Sequence, residues 1–90
     1  MGILEGKIAI ITGAARGQGA AAAHRFVEEG ARVGIADVID DLGKQLAEEL
    51  GAAAEFRHLD LLAVQEGDTV VGEVMQTHGR LDILVNNAGV

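Results

Sequence analysis

Short apolar runs alternate along the chain with longer stretches in which apolar residues recur every three or four positions. A continuous apolar run is typical of a strand buried on both faces of a parallel sheet, and the longer spacing is typical of an amphipathic helix. Strands are therefore predicted at residues 7–11, 32–36, 54–59 and 81–85.

A helix is predicted after each of the first three strands. Each of these helices is followed by a glycine at a position where glycine commonly ends a helix, namely Gly30, Gly51 and Gly79. The apolar stripe of the first helix consists of Ala20, Ala23 and Val27, and that of the second consists of Leu42, Leu46 and Leu50. Asp40 or Asp41 is expected to cap the second helix, because a short carboxylate can accept a hydrogen bond from an amide of the first turn.

The third predicted helix, at about residues 64–78, has the weakest pattern. Gly67 and Gly72 lie inside it, and each lowers helix stability by up to about 1 kcal/mol relative to alanine. The nearest residue that could cap its first turn is Asp60. We expect this helix to be the least stable element of the fold.

The alternating order of strands and helices predicts an α/β fold with a four-stranded parallel sheet, because strands joined in this way make right-handed crossovers. The expected strand order is 3-2-1-4, with the first two helices on one face and the third on the other. Ligands of such sheets bind at the carboxyl ends of the strands, where the strand order reverses. Here that place lies between the first and fourth strands.

Composition narrows the function classes. The 90 residues suffice for one domain, and a hydrophobic fraction of 49% with two phenylalanines as its only aromatics predicts an aliphatic core.

A net charge of −7 argues against nucleic acid or an anionic membrane as a partner, since both attract basic surfaces. The chain has no cysteine, and no apolar run approaches the roughly 18 residues of a membrane span, so a cytoplasmic location is expected. The three histidines lack metal-ligand spacing, so no metal site is expected.

A glycine-rich loop, TGAARGQG at residues 12–19, lies between the first strand and the first helix. In such a unit, backbone N–H groups and the helix N-terminus can meet a phosphate, and glycines permit both the tight turn and the close approach. The glycines here, Gly13, Gly17 and Gly19, do not have the G-x-G-x-x-G spacing of many dinucleotide enzymes. An ordinary tight turn that binds no ligand is the alternative.

Two acidic residues at the ends of neighbouring strands have the chemistry to contact an adenosine. Asp37 can accept hydrogen bonds from both ribose hydroxyls and would repel a ribose 2′-phosphate, which favours NAD over NADP. Arg16, beside the glycine loop, could instead attract that phosphate. Asp60 can bond the adenine amino group or cap the following helix. A solvated carboxylate at a strand end is the alternative for Asp37.

The fourth strand is followed by NNAG, residues 86–89. Two amides at a strand end can tie neighbouring loops together, and the small Ala88 and Gly89 leave room for a ribose; a structural role for at least one asparagine is the alternative. Together, TGAARGQG, Asp37, Asp60 and NNAG resemble, in order and spacing, the short-chain dehydrogenase/reductase family. The resemblance covers essentially the whole chain, and the glycine loop paired with NNAG is far more specific than either motif alone.

The resemblance implies a Rossmann-like half that binds NAD(H). In that family the loop holds the pyrophosphate, the Asp after the second strand selects NAD, the Asp after the third contacts adenine, and the second Asn with the following Ala lines the adenosine ribose. By analogy these roles fall on Gly13, Arg16, Gly17, Gln18, Gly19, Asp37, Asp60, Leu61, Asn87 and Ala88. Leu61 and Leu62 depart from the family, whose members usually carry Ser or Thr at one of these two positions.

The family's catalytic groups, a Ser and a Tyr-x-x-x-Lys pair, are implied to lie downstream, and this chain contains no tyrosine. Because that tyrosine moves the proton that accompanies hydride transfer, residues 1–90 are expected to be an NAD-binding domain truncated before the catalytic segment. We expect no catalytic residue in it and no turnover by it alone.

The fourth strand would form an open edge of the sheet, so a homo-oligomer that buries this strand is also expected. Two alternatives to the NAD hypothesis remain open. One is a self-associating fragment that binds no ligand. The other is a binder of a different adenosine ligand, such as S-adenosylmethionine, against which the loop spacing and NNAG argue.

Overall fold

The computed structural model describes residues 2–15, 17–59 and 64–86, and within them four strands form one sheet. In chain order the strands are β1 (Ile8–Thr12), β2 (Arg32–Asp37), β3 (Ala54–His58) and β4 (Ile83–Asn86). Their order across the sheet is β3-β2-β1-β4, and all three neighbouring pairs are parallel. The predicted α/β class and strand order are therefore confirmed.

Three α-helices connect these strands. They are α1 (Gly17–Glu28), α2 (Asp40–Leu50) and α3 (Val64–His78), and a short 3-10 turn, Gly51–Ala53, follows α2. The glycine after each helix has a positive φ angle, which is +97° at Gly30, +80° at Gly51 and +77° at Gly79. The prediction that glycine ends all three helices is therefore confirmed. Within the described residues, no helix has the length and apolar character needed to cross a membrane.

The core lies on both faces of the sheet. On one face, buried residues of β1 and β2 pack with α1 and α2, and on the other face, buried residues of β1 pack with α3. The first cluster includes Ile11, Val33, Ile35, Ala23 and Leu46, and the second includes Ile8, Ile10, Val70 and Val74. All five residues of β1 are buried, because this strand has a neighbour on each side and helices on both faces. The predicted division of the helices between the two faces is confirmed.

The start of α2 differs from the prediction. The residue in the capping position is Ile39, which makes no side-chain hydrogen bond to the helix, and Asp40 and Asp41 lie in the first turn. The expectation that one of these aspartates caps α2 is therefore wrong. The carboxylate that bonds to this turn comes from the end of β2 instead, since Oδ1 of Asp37 accepts a hydrogen bond from the amide of Ile39 at 3.0 Å.

The buried face of α2 is also rotated relative to the predicted stripe. Leu46 is 5% exposed, but Leu42 is 38% exposed. The reason is Gly43, which lies so close to Phe56 of β3 that a Cβ at this position would overlap the phenyl ring. The helix contacts the sheet through Gly43 and Leu46, so Leu42 lies at the edge of this contact and is partly exposed to solvent.

All four strands have bounds that differ by one or two residues from the predicted ones. Strand β1 lies one residue later along the chain, and β3 ends one residue earlier. Strand β2 continues through Asp37, because that residue pairs with His58 of β3. Strand β4 begins at Ile83, two residues later than predicted. The preceding residue, Asp82, bonds to Ile8 with both its backbone and its side chain, since its amide donates to the Ile8 carbonyl and its Oδ2 accepts from the Ile8 amide, each at 2.8 Å.

Candidate functional site

The first half of the glycine loop lies against the end of β2. The amides of Gly13 and Ala14 donate to the Ala36 carbonyl, at 2.8 and 3.4 Å, and the amide of Ala15 donates to Oδ2 of Asp37 at 3.0 Å. These contacts bring the loop and the predicted ribose-binding residue together at the carboxyl ends of the strands. We call this part of the molecule (Thr12, residues 13–15, residues 17–19 and Asp37) the carboxyl edge.

The second half of the loop is the first turn of α1. The helix begins at Gly17, whose φ of +63° lies in the left-handed region that residues with a Cβ avoid. A Cβ there would have no atom within 4 Å, so the backbone angle, and not space, requires glycine at this position.

The N-terminus of α1 is suited to an anion. The first amides of a helix have no partner within the helix, and the helix dipole places partial positive charge at this end. The first turn of α1 contains no acidic residue that would oppose an anion locally. The amides concerned are those of Gly17, Gln18 and Gly19, and the first two of these residues are exposed.

Asp37 is 8% exposed at the end of β2. Its two carboxylate oxygens accept hydrogen bonds from the amides of Ala15 and Ile39, each at 3.0 Å. The alternative of a solvated carboxylate at a strand end is therefore excluded. A carboxylate oxygen has two acceptor positions, so each oxygen of Asp37 can accept a further hydrogen bond from a ligand hydroxyl.

The end of β4 lies next to the same loop. Thr12 pairs with Asn86 in the sheet, and its hydroxyl donates to the Val85 carbonyl at 3.2 Å. The sequence analysis did not assign a role to this hydroxyl. A threonine that directly follows a buried apolar run is the signal that could have indicated it.

Half of the predicted site residues lie outside the described part of the chain, namely Arg16, Asp60, Leu61, Asn87 and Ala88. The structure brings the other five together, Gly13, Gly17, Gln18, Gly19 and Asp37, at the carboxyl edge. It also adds the amides of Ala15 and Ile39, which the sequence analysis missed because hydrogen bonding by a backbone amide has no signature in residue type.

Three charged side chains with shifted pKa values, Glu55, Arg80 and Asp82, lie toward the opposite end of the sheet. Together with Arg57 and His78, the partners of Glu55, we call them the amino edge. Burial raises the pKa of Glu55, but hydrogen bonds and charge from Arg57 and His78 outweigh burial and lower it below its ordinary value. The pKa of Asp82 is lowered by hydrogen bonds from Arg80 and from the Ile8 amide. These groups pair with one another, so their shifts indicate structural ion pairs and not a reactive centre.

The comparison with protein families decides the assignment. A family model described as short chain dehydrogenase matches residues 7–90. The chain belongs to the short-chain dehydrogenase family. The resemblance inferred from the glycine loop, Asp37, Asp60 and NNAG is thereby confirmed.

Curated members of the family match nearly all of this chain. Tropinone reductase-like 2 from Erythroxylum coca is 51% identical over 87 residues, which are 97% of this chain and 32% of the relative. The 3-alpha-(or 20-beta)-hydroxysteroid dehydrogenase of Mycobacterium tuberculosis is 42% identical over 89 residues, which are 99% of this chain and 34% of the relative. The chain thus spans about a third of the length of the relatives it matches.

Solved structures of the family have the same fold over this region. A hydroxysteroid dehydrogenase from Escherichia coli superposes with a TM-score of 0.90 at 38% identity, over 97% of this chain and 38% of that one. A 3-ketoacyl-(acyl-carrier-protein) reductase from Brucella melitensis, complexed with NADH, superposes with a TM-score of 0.91 at 41% identity, over 97% of this chain and 36% of that one. The sheet of this chain is thus the sheet of an oxidoreductase family, some of whose members bind a nicotinamide cofactor.

Proposed function

We propose that residues 1–90 are the NAD(H)-binding portion of an oxidoreductase and that the carboxyl edge is its cofactor site. The observation that carries the proposal is the position of Asp37, whose buried carboxylate lies 3.0 Å from the Ala15 amide, directly beside the N-terminus of α1. The helix N-terminus can bind the pyrophosphate of an adenosine diphosphate, and the neighbouring carboxylate can accept hydrogen bonds from the hydroxyls of its ribose. The NADH in the related reductase from Brucella melitensis supports the same assignment.

The described residues fit this cofactor with a division of roles. The amides of Gly17, Gln18 and Gly19 bind the pyrophosphate, since they form the positive end of α1. Asp37 accepts the ribose hydroxyls through the acceptor positions that its two backbone bonds leave available. The roles that the family resemblance implies for Arg16, Asp60, Leu61, Asn87 and Ala88 belong to the same proposal.

NAD(H) is preferred over NADP(H) in this proposal because of the environment of Asp37. The side chain is 8% exposed, so little water screens its negative charge. A 2′-phosphate on the ribose would stand against this charge, whereas a 2′-hydroxyl would donate a hydrogen bond to it.

We further propose that the chain alone turns nothing over. It contains no tyrosine, and it spans about a third of the length of its relatives. A bound nicotinamide without a group that moves the accompanying proton has no complete route for hydride transfer. Cofactor binding without reduction of a substrate is the expected behaviour.

A second candidate function is self-association, and the exposure of β4 favours it. Among the described strands, β4 pairs only with β1, and Leu84 of β4 is 56% exposed. Leu84 pairs with Ile10, so it lies on the face that α3 covers, and Met75 of α3 is exposed as well. An apolar strand at a sheet edge pairs readily with another chain. A homo-oligomer through β4 is therefore proposed alongside cofactor binding, and a cytoplasmic location remains a prediction.

Sedimentation velocity over a range of concentrations tests self-association. The chain is expected to sediment as a dimer or larger species, and Leu84→Lys, which places a charge on the edge strand, is expected to sediment as a monomer. The variant Lys44→Gln, on the surface of α2, is the control for a change of charge elsewhere. A monomer at high concentration would exclude this second function.

Isothermal titration with NADH, NADPH and AMP tests the cofactor proposal. We expect heat with NADH, a weaker signal with AMP, and the weakest binding with NADPH. Asp41→Asn, which removes a negative charge from the exposed surface of α2, is expected to leave the order of the three ligands unchanged and so controls for net charge. No heat with any of the three ligands would overturn the proposed function, and tighter binding of NADPH than of NADH would overturn the role of Asp37.

A further inference from the structure

Three consecutive amides of the glycine loop donate to the end of β2. Two of them, from Gly13 and Ala14, bond to the Ala36 carbonyl, and the third, from Ala15, bonds to the Asp37 side chain. The first two bonds use only backbone atoms, so no side-chain substitution removes their acceptor. The third bond, in contrast, depends on a single side chain, that of Asp37.

The Asp37 carboxylate is held from both sides. Its Oδ2 accepts from Ala15 in the loop, and its Oδ1 accepts from Ile39 just before α2. Both Ala15 and Asp37 are 8% exposed, so water competes little with the bond between them. Hydrogen bonds to an ionised acceptor are about twice as strong as neutral ones. One side chain thus connects three segments, which are the loop, the end of β2 and the start of α2.

We propose that Asp37 is a positioning residue that holds the glycine loop in its binding geometry before any ligand arrives. Ala15 lies two residues before Gly17, so by fixing Ala15, Asp37 constrains where α1 begins and hence the direction of the first amides of α1. This role is separate from ribose selection and rests on the proposed function only where ligand binding is measured. Both roles fit one carboxylate, because two of its four acceptor positions bond the backbone and two remain.

The first test follows amide hydrogen exchange in the ligand-free chain by NMR. In Asp37→Ala, exchange at Ala15 and Ile39 is expected to accelerate by about tenfold or more, because both amides lose a charged acceptor. The buried amides of Ile10 and Ile35 report global opening, so their acceleration measures the general loss of stability in Asp37→Ala, and the acceleration at Ala15 and Ile39 is expected to exceed theirs. Asp41→Asn, which removes an exposed charge nearby, is expected to change neither Ala15 nor Ile39.

The outcomes of the exchange test are distinct. Unchanged exchange at Ala15 in Asp37→Ala would overturn the proposal, and so would an equal acceleration at Ala15, Ile10 and Ile35, which would indicate only a general loss of stability. If Asp37→Ala does not fold, Asp37→Asn is used. The amide side chain keeps one acceptor oxygen, so faster exchange at Ala15 or Ile39, but not at the core amides, supports the proposal, and no change at either overturns it.

The second test separates positioning from ribose recognition with ADP and 2′,3′-dideoxy-ADP. The dideoxy nucleotide has no hydroxyl for Asp37 to accept, so a role in ribose recognition alone predicts equal binding by the wild type and Asp37→Ala. The removal of a negative charge near the phosphates would even favour the variant. Positioning predicts the reverse, namely dideoxy-ADP binding that is at least about fivefold weaker in Asp37→Ala.

Equal or tighter dideoxy-ADP binding by Asp37→Ala would overturn the positioning role. If the wild-type chain binds neither nucleotide, the proposed function fails, and the exchange rates in the ligand-free chain still decide how the loop is held. Failure of the two proposals can therefore be told apart.

Discussion

The two edges of the sheet hold their carboxylates in different ways. At the carboxyl edge, Asp37 is buried and accepts hydrogen bonds from backbone amides. At the amino edge, Glu55 is paired with Arg57, and Asp82 is paired with Arg80 in addition to accepting a hydrogen bond from the Ile8 amide. A carboxylate whose described partners are uncharged backbone amides has no positive group among those partners and has spare acceptor positions, whereas one paired with arginine is neutralised locally. This difference suits the carboxyl edge to recognise a ligand and the amino edge to stabilise the ends of strands.

The largest change in the free energy of unfolding is expected from Asp37→Ala. One buried amide, that of Ala15, and one half-buried amide, that of Ile39, lose their acceptor, and each unsatisfied amide costs about 1–3 kcal/mol, so the free energy of unfolding should fall by about 2–4 kcal/mol. Urea denaturation followed by circular dichroism measures the loss. A change below about 0.5 kcal/mol would mean that water satisfies these amides and that the two edges do not differ as described.

Gly17→Ala is expected to have the next largest effect. The φ of +63° at the start of α1 is unfavourable for alanine, so the free energy of unfolding should fall by about 1–2 kcal/mol. The affinity for NADH should fall as well, because the first amides of α1 change direction. Fluorescence titration with NADH measures the affinity. Stability and affinity that both match the wild type would contradict the requirement for glycine at this position.

Gly72→Ala is expected to raise the free energy of unfolding, whereas the two preceding substitutions lower it. Gly72 is an exposed position of α3 where a Cβ meets no atom within 4 Å, so alanine should raise the free energy of unfolding by up to about 1 kcal/mol. The affinity for NADH should not change. Gly43→Ala is the matched control in α2, since its Cβ overlaps Phe56 and the same substitution should destabilise the fold.

The smallest effect is expected at the amino edge, from Asp82→Asn. Because the pKa of Asp82 is lowered in the folded state, the carboxylate stabilises the fold at a pH above its unfolded-state pKa, and this contribution disappears as the pH falls through the folded-state pKa. The variant should therefore be less stable than the wild type near pH 7, and the difference should shrink as the pH falls below about 4. Urea midpoints across this range measure it. A difference that does not depend on pH would contradict the ion pair with Arg80.

The sheet could be predicted from the sequence because its determinants are local. Four short apolar runs, each separated from the next by a helical pattern and a glycine, leave few topologies, and β1 to β4 follow the predicted order. The bounds of α3 match the prediction for the same reason. The buried face of α2 could not be predicted in this way, since it depends on the contact of Gly43 with Phe56 of another element.

The location of the described candidate residues at the carboxyl ends of the strands could be predicted, but the hydrogen bonds between them could not. An acidic residue after an apolar strand indicated Asp37, and its location beside the glycine loop follows from the strand order. Its bonds to the amides of Ala15 and Ile39 could not be predicted, because every non-proline residue carries the same amide. The positioning role is therefore visible only in three dimensions.

The most direct test of the central claim is the NMR mapping of NADH on the 15N-labelled chain, because it compares the two edges in one experiment. The account predicts that the largest chemical-shift changes occur at Gly17, Gln18, Gly19 and Asp37, with little change at Glu55 and Asp82. Shift changes concentrated at the amino edge, or no change anywhere at millimolar NADH, would contradict it.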